Sequence, residues 1–125
     1  TPQSVNKLGG YRVQGRDQSH ADTMVDAAVA LVEAGADMIL LECVPADLGQ
    51  RITVAVTVPV IGIGAGAATD SQVLVMHDMQ GLNPNHVPKF VKNFATSGRT
   101  VNEALAAYND EVKARTFPGP EHEFA

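Results

Sequence analysis

Cysteine is nearly absent from the sequence. The 125 residues include a single cysteine, Cys43, so no internal disulfide can form. There is also no Asn-x-Ser/Thr acceptor site for N-glycosylation. Both absences favour a reducing compartment, and we expect a cytoplasmic protein. No signal peptide is visible, but the sequence begins with Thr1 rather than Met, so the natural N-terminus need not be included.

Long apolar runs and clusters of basic residues are missing as well. No apolar stretch approaches the roughly 20 residues that are needed to span a bilayer. Lys and Arg number 9 against 14 Asp and Glu, which gives a net charge of −5 and no basic face for nucleic acid. With 45% apolar and 18% charged residues, the composition is that of one globular domain. We expect neither nucleic acid nor a membrane as a partner.

Apolar residues recur at a spacing of three and four in several segments, which predicts amphipathic helices. Gly35 follows the first as a terminating glycine, and Asn85 precedes the third as a cap. Thr100 and Glu103 have the spacing of a capping box at the start of the last. The predicted helices cover residues 22–34, 45–56, 87–95 and about 100–115, and a short one begins near 69–71.

Short unbroken apolar runs predict strands that are buried on both faces, as in a parallel sheet. One run covers residues 38–41 and stops at Glu42, and a second covers 58–64, with Pro59 near its start. Residues 72–78 are too few for periodicity to decide, but their β-branched content favours a strand. We therefore expect strands at about 37–42, 59–64 and 73–78, of which the first two are parallel neighbours.

The alternation of helices with short buried strands predicts an α/β fold with a parallel sheet. Three strands with right-handed crossovers make only a curved strip with open edges. A complete (β/α)8 barrel needs eight strands and roughly 250 residues. We therefore interpret residues 1–125 as a single partial domain of a barrel. That interpretation requires Leu40 and Ile61 to be buried, and an antiparallel pairing or an exposed side chain at either position would refute it.

Glu42 is the strongest candidate for a catalytic residue. It directly follows a buried run and so lies at the carboxyl end of a strand, which in an α/β barrel faces the reaction site. Partial burial there would raise the pKa of the carboxyl group and suit it to proton transfer. The alternative is a surface carboxylate that caps the next helix. Cys43 has no local signature of a nucleophile, and a small buried thiol is the preferred interpretation.

Glycines alternate after the second strand, at Gly62, Gly64 and Gly66. A dinucleotide fingerprint would need a long helix directly after them, whereas this spacing more often permits close approach of a ligand or of neighbouring backbone. Phosphate binding by backbone N–H groups is a further alternative. His77 and Asp78 form a tempting pair, for which a satisfied, hydrogen-bonded histidine is the simpler explanation. No spacing of histidines or carboxylates predicts a metal site in this chain.

The segments LGGYRVQGR, LLECVP, PVIGIGAG, VMHD and PKFVK occur in that order along the chain. Together these five motifs closely resemble the ketopantoate hydroxymethyltransferase family. Each motif alone is weak, but their common order along nearly the whole chain is highly specific. The segment Phe-Pro-Gly-Pro-Glu-His at residues 117–122 is also similar to the family's ending. The five motifs lie at residues 8–16, 40–45, 59–66, 75–78 and 88–92.

The resemblance implies the C-terminal part of a (β/α)8 TIM barrel, with three late strands and a C-terminal helical extension. It implies transfer of a hydroxymethyl group from 5,10-methylenetetrahydrofolate to α-ketoisovalerate, giving ketopantoate in pantothenate and coenzyme A biosynthesis. Mg2+ holds the keto acid, and the family assembles as a homo-decamer. By the resemblance, Glu42 is the general base that removes the proton alpha to the carbonyl.

Other parts of the family's site have no counterpart in this sequence. The family carries a Gly-Asp-Ser loop, an Asp, a Lys-x-Glu and a His upstream of the matched region, and the metal ligands are among them. The resemblance therefore implies no Mg2+ ligand here, and we expect the chain alone to be inactive without the upstream half as its partner. The alternative function is that of a non-catalytic half-barrel with a structural and assembly role.

Overall fold

Helices and short strands alternate along the chain, as the sequence predicts for an α/β protein. The computed structural model describes residues 4–7, 10, 12–84 and 86–125. None of the helices in these ranges has the length and apolar character to cross a membrane. The elements in chain order are α1 (Gln18–Glu33), β1 (Ile39–Glu42), α2 (Ala46–Ala55), β2 (Val60–Ile63), β3 (Ser71–Gln72), α3 (Met76–Met79) and α4 (Val101–Lys113), with a 3-10 helix at Pro120–His122.

The three strands form one parallel sheet in the order β1-β2-β3. The predicted parallel pairing of the first two strands is confirmed, with Ile39 opposite Val60 and Glu42 opposite Ile63. Because the strands are parallel and in register, their carboxyl ends lie at the same edge of the sheet. Whatever follows β1 and β2 in the chain is therefore gathered at that edge.

One face of the sheet is covered, and the other is covered only in part. Ile39 and Leu41 are each 6% exposed and pack into a core with α1 and α2, whereas Leu40 is 57% exposed. The expected burial of β1 on both faces is therefore wrong, and Ile61 is only partly buried. Alternate side chains of a strand point to opposite faces, so Leu40 lies on the face away from that core. On the same face Ile63 is 8% exposed and packs into a second core, which does not include Leu40. The described residues thus do not meet the burial requirement set for a barrel.

Two helices cover the other face of the sheet. Asp17 caps α1 by accepting a hydrogen bond from the backbone N–H of His20, and Gly35 follows the helix with φ +102°. The predicted terminating glycine is therefore confirmed, since this φ favours a residue without Cβ. The core beneath both helices consists of Ala21, Ala28, Ile39, Leu41, Val44, Leu48, Ile52, Val60 and Ala65.

The predicted strand at 73–78 and the predicted short helix at 69–71 are both wrong. Residues around Asp70 pair with β2 instead, because the N–H of Asp70 donates to Val60 O at 3.0 Å. The ladder ends where Val73 N–H donates to Gly62 O at 2.9 Å, and the chain then turns into α3. The strand consequently lies a few residues earlier than its apolar pattern suggested.

The predicted helix at 87–95 is also wrong, and its predicted cap at residue 85 lies outside the described residues. The segment has no regular structure. The N–H of Phe94 donates to Met79 O at 2.8 Å, which is a bond to a distant segment rather than to the preceding helical turn. Phe90 and Phe94 are buried in a second core, so their spacing reflects two separate anchors and not one helical face.

The second core is aromatic and joins α4 to the sheet. The ring of Phe94 packs edge-on against Tyr108 at 5.5 Å and against Phe117 at 5.3 Å between centroids. The hydroxyl of Tyr108 donates to Gln72 O in β3 at 2.9 Å. At the start of α4 the predicted capping box is confirmed, because the Thr100 side chain accepts from Glu103 N–H and the Glu103 carboxylate accepts from Thr100 N–H.

Replacement of Phe94 should be among the most destabilising changes in the chain. The side chain is fully buried, so Phe94→Ala is expected to lower the free energy of unfolding by about 3–5 kcal/mol. Val54→Ala is the control: Val54 is 81% exposed, and its loss should change the free energy by less than about 0.5 kcal/mol. Urea unfolding of the two variants checks this. Equal losses would show that the aromatic core does not carry the stability assigned to it.

Candidate functional site

Glu42 lies where the sequence placed it, at the carboxyl end of β1. Its backbone pairs with Ile63, and its side chain shares the open face of the sheet with Leu40. The expected partial burial is not observed, since the Glu42 side chain is exposed although its strand partner Ile63 is buried. Among the described residues, none donates a hydrogen bond to this carboxylate. The group is therefore available to a ligand that approaches this face.

The backbone directly after Glu42 is tightly held. Cys43 has φ +55°, a left-handed conformation that is uncommon for a residue with a side chain. Its N–H donates to Ile63 O at 2.9 Å, and its carbonyl accepts from Gln14 N–H at 3.1 Å. The N–H of Val44 donates to Gly64 O at 3.1 Å. Such strain persists only where surrounding bonds enforce it, and here they fix the direction in which Glu42 leaves the strand.

The thiol of Cys43 has the environment of a structural side chain. It is partly buried against the aromatic core. Burial raises the pKa of the thiol above its ordinary value, and the nearby Glu42 carboxylate raises it further. A raised pKa disfavours the thiolate, which is the nucleophilic form. The burial and the direction of the pKa change thus favour the inert thiol that the sequence indicated.

The glycine-rich loop after β2 is packed by neighbouring side chains. A Cβ added to Gly64 would lie 2.8 Å from Phe90 Cδ1, and one added to Gly66 would lie 2.6 Å from the Cβ of Ala46. Both glycines have positive φ, at +62° and +80°. No long helix follows, because the chain turns and enters β3. The loop therefore lacks the geometry of a dinucleotide fingerprint, and its glycines accommodate side chains of the same chain.

The same loop is fixed by polar contacts. The N–H of Ala67 donates to Glu123 Oε1 at 3.1 Å, and Arg115 Nη1 donates to the carbonyl of Ala67 at 3.2 Å. Gln72 Nε2 donates to Gly66 O at 2.9 Å. An open cleft of about 460 Å³ beside the loop is lined by Asp47 and Glu123 as well as Arg115. Side chains of both signs give no specific support to phosphate binding, which stays a prediction.

The histidines do not form a site with the carboxylates near them. His77 is exposed in α3 rather than held by a hydrogen bond, and Asp78 accepts from Asn83 Nδ2 at 2.9 Å. His122 is buried, and its Nδ1 accepts from Gly119 N–H at 3.1 Å. Over the described ranges, no three His, Cys, Asp or Glu side chains are grouped so that they could hold a metal ion.

Three residues at the strand ends were not singled out from the sequence. Gln14 bonds to the turn after Glu42, and Arg115 and Glu123 hold the loop after β2. Two of these contacts join segments separated by 48 and 56 positions in the sequence. No local pattern signals such pairs, because they depend on how the chain folds back on itself.

Comparison with known proteins identifies relatives along the whole chain. Residues 1–120 match the sequence model of a family described as ketopantoate hydroxymethyltransferase. Curated relatives named 3-methyl-2-oxobutanoate hydroxymethyltransferase occur in a Marinomonas species, at 62% identity over 99% of this chain and 45% of the relative. Others occur in Pseudomonas fluorescens, at 63% over 100% and 47%, and in Photobacterium profundum, at 59% over 99% and 47%. The chain spans about half the length of the curated relatives it matches.

The reactivity of Cys43 should report the electrostatic coupling to Glu42. The folded state favours the protonated thiol, because burial raises the pKa of Cys43. The thiol's contribution to the free energy of unfolding is therefore fully present below the pKa of the unfolded state. It is lost as the pH rises through the pKa of the folded state. We expect native Cys43 to be alkylated more slowly than the same residue in urea, with a rate profile displaced to higher pH. Glu42→Gln should shift that profile part of the way back. Asp47→Asn is the control, and an equal shift in both variants would contradict the coupling.

Proposed function

The chain belongs to the ketopantoate hydroxymethyltransferase family, and from this we propose the reaction of the complete protein. A hydroxymethyl group is transferred from 5,10-methylenetetrahydrofolate to 3-methyl-2-oxobutanoate (α-ketoisovalerate), giving 2-dehydropantoate for pantothenate biosynthesis. The observation that carries the proposal is the exposed carboxylate of Glu42 at the strand-end edge, on a backbone held by the Cys43 turn. Because the chain spans about half of its relatives, the activity is assigned to the complete protein.

The proposed fold is the C-terminal part of a (β/α)8 barrel, with residues 1–125 as one partial domain. Support comes from the parallel sheet and from α1 and α2, which cover one of its faces. The exposure of Leu40 counts against a barrel closed by these residues alone. It is compatible with a barrel whose other strands come from elsewhere in the protein, because alternate side chains of barrel strands fill the interior. A 57% exposed leucine on that face then gains an apolar environment.

In the proposed reaction Glu42 acts as general base. The C–H bond alpha to the carbonyl of the keto acid breaks, its proton passes to a carboxylate oxygen of Glu42, and its electron pair forms the enolate. Overall, the methylene carbon of the folate forms bonds to the enolate carbon and to the oxygen of a water molecule. Its two C–N bonds break, and the two nitrogens take up the proton removed from the keto acid and one proton of the water. A carboxylate can do this only if it is positioned within hydrogen-bond reach of the proton. The hydrogen bonds around Cys43 supply that positioning from the chain's own backbone.

Mg2+ is the proposed cofactor, and when bound it stabilises the negative charge that develops on the enolate oxygen. The described residues do not fit its site. Asp70 Oδ2 already accepts from Val60 N–H at 2.8 Å, Asp78 is bonded to Asn83, and no group of ligands occurs within the described ranges. The ligands are therefore proposed to lie outside this chain, and no step of the reaction is assigned to a metal held by these residues.

The alternative function is a non-catalytic half-barrel with a structural and assembly role. The open face of the sheet, with Leu40 exposed, favours a surface that is covered by another polypeptide. We also propose that the complete protein is a cytoplasmic homo-oligomer, and the family resemblance implies a decamer. The two functions differ in whether the chain contributes to turnover once the missing strands are supplied.

Glu42→Gln in the complete enzyme should abolish most of the activity and preserve the fold. The amide cannot accept the proton, so exchange of the alpha proton of α-ketoisovalerate into deuterated solvent should fall by about 10²–10⁴-fold. NMR of the substrate measures this half-reaction directly. Asp47→Asn changes a nearby carboxylate in the first turn of α2 and is expected to retain exchange. Exchange at the wild-type rate in Glu42→Gln would show that another residue is the base.

The chain by itself is expected to be inactive and to bind no Mg2+ at the site, because its open sheet face and the lack of ligands among its described residues leave the site incomplete. Mixing it with a polypeptide that covers the remaining length of the family should restore turnover. Sedimentation, magnesium titration and a turnover assay measure the three properties. A well-folded monomer with a tight stoichiometric Mg2+ site would refute this account, and failure of the mixture to turn over would favour the structural role.

A further inference from the structure

We propose that residues 123–125, here called the strap, position the segments around Glu42 for catalysis. The inference rests on the proposed function and adds a role for Glu123, Phe124 and Ala125. Each of the three makes a polar contact with a segment near the carboxyl edge of the sheet or before α1. The strap therefore crosses the place where the backbone leaves β1 and β2.

The first contact fixes the segment after β1. The N–H of Ala46, at the start of α2, donates to the carbonyl of Phe124 at 3.0 Å. The first N–H groups of a helix have no partner within the helix, and Pro45 provides no side-chain cap. The strap therefore supplies an acceptor that α2 lacks. Because only Cys43 to Pro45 separate β1 from α2, this bond restrains the same short turn that directs Glu42.

The second contact fixes the segment after β2. Glu123 Oε1 accepts from Ala67 N–H at 3.1 Å. The ring of Phe124 lies over the same loop, since its Cε2 atom would be 3.3 Å from a Cβ built on Gly64. The carbonyl of Gly64 in turn accepts from the N–H of Val44, which follows Glu42 and Cys43. Movement of the loop is thus transmitted to the turn after β1.

Further contacts hold the strap itself. Lys89 Nζ donates to the carbonyl of Glu123 and lies 5.8 Å from the centroid of the Phe124 ring. The same ring packs edge-on against Phe90 at 6.4 Å. Arg16 Nε donates to the carbonyl of Ala125 at 3.2 Å, which ties the strap to the segment before α1. The strap is therefore anchored on both sides of the loops it contacts.

These contacts bear on catalysis because the carboxylate of Glu42 has no bond of its own to a described side chain or backbone group. Its position depends on the turn at Cys43, which the strap restrains from two sides. A misplacement of about 1 Å at a reacting group can cost about 10²-fold in rate. Glu123 is accordingly a positioning residue, and its effect should appear in proton removal from the keto acid.

Glu123→Ala in the complete enzyme removes the acceptor of Ala67 N–H. We expect proton exchange and kcat to fall by roughly 10- to 100-fold, with a smaller change in KM and with the unfolding midpoint retained. Glu123→Gln keeps an acceptor oxygen at the same place and should recover most of the loss. The matched control is Glu121→Ala, since Glu121 lies in the same tail, has a side chain that is 71% exposed, and is 3.5 Å from His122 Nδ1 rather than bonded to Ala67.

Three outcomes would overturn the proposal. Exchange at the wild-type rate in Glu123→Ala would show that the strap does not position the site. Failure of Glu123→Gln to recover activity would exclude the hydrogen bond to Ala67 as the cause. An equal loss in Glu121→Ala would indicate a general requirement for the tail. Recovery by glutamine together with an unaffected Glu121→Ala supports the proposal.

A second readout separates this inference from the proposed reaction. Alkylation of Cys43, followed by mass spectrometry of its peptide, reports on the same turn without any substrate. Glu123→Ala should accelerate alkylation, because Cys43 and Phe124 pack against the same aromatic core, and Glu121→Ala should not. If the wild-type enzyme shows no proton exchange, the proposed function fails while this readout still tests the strap. Unchanged alkylation in Glu123→Ala would overturn the strap in either case.

Discussion

The parallel pairing of β1 with β2 is the interaction on which the rest of the structure depends. The pairing continues past the strands, since Cys43 N–H donates to Ile63 O and Val44 N–H donates to Gly64 O. Because the ladder of backbone hydrogen bonds is extended in this way, Cys43 adopts a strained left-handed backbone conformation. In return the chain leaves both strands in a defined direction. The glycine at 64 and the strap across it follow from this geometry, because a side chain there would collide with Phe90.

The helices explain why the two faces of the sheet differ. Helices α1 and α2 bury Ile39 and Leu41, and the aromatic core with α4 covers the loop after β2. The aromatic core reaches the face that carries Leu40 and Glu42 only at Ile63, the strand partner of Glu42, and leaves Leu40 and Glu42 exposed. A hydrophobic side chain and a carboxylate thus share one open surface. Leu40 and Glu42 therefore lie on the part of the sheet that neither core covers.

Much of the fold and one residue of the candidate site could be predicted from the sequence. The first two strands, their pairing, the helices before and after β1, and the capped helix α4 have strong local signals. A helix was wrongly predicted at 87–95 because Phe90 and Phe94 have the spacing of one helical face. In the structure the N–H of Phe94 instead donates to the carbonyl of Met79. The position of Glu42 at a strand end could be predicted, because Glu42 follows an apolar run. The exposure of its side chain could not be predicted, because the described residues do not cover it. Glu123 had no local signal, since its partner is 56 positions away.

The two edges of the sheet differ in how readily they can pair with a strand of another molecule, and the hydroxyl of Tyr108 contributes to this difference. At the β3 edge the strand has only 2 residues, and the carbonyl of Gln72 already accepts from Tyr108. The β1 edge has 4 residues and an apolar run. Exposed strand edges act as templates for other strands, and short or occupied edges resist this. In this chain by itself, stray pairing in a concentrated sample is therefore expected to begin beside β1, and a charged residue introduced along that edge should improve solubility more than the same change beside β3.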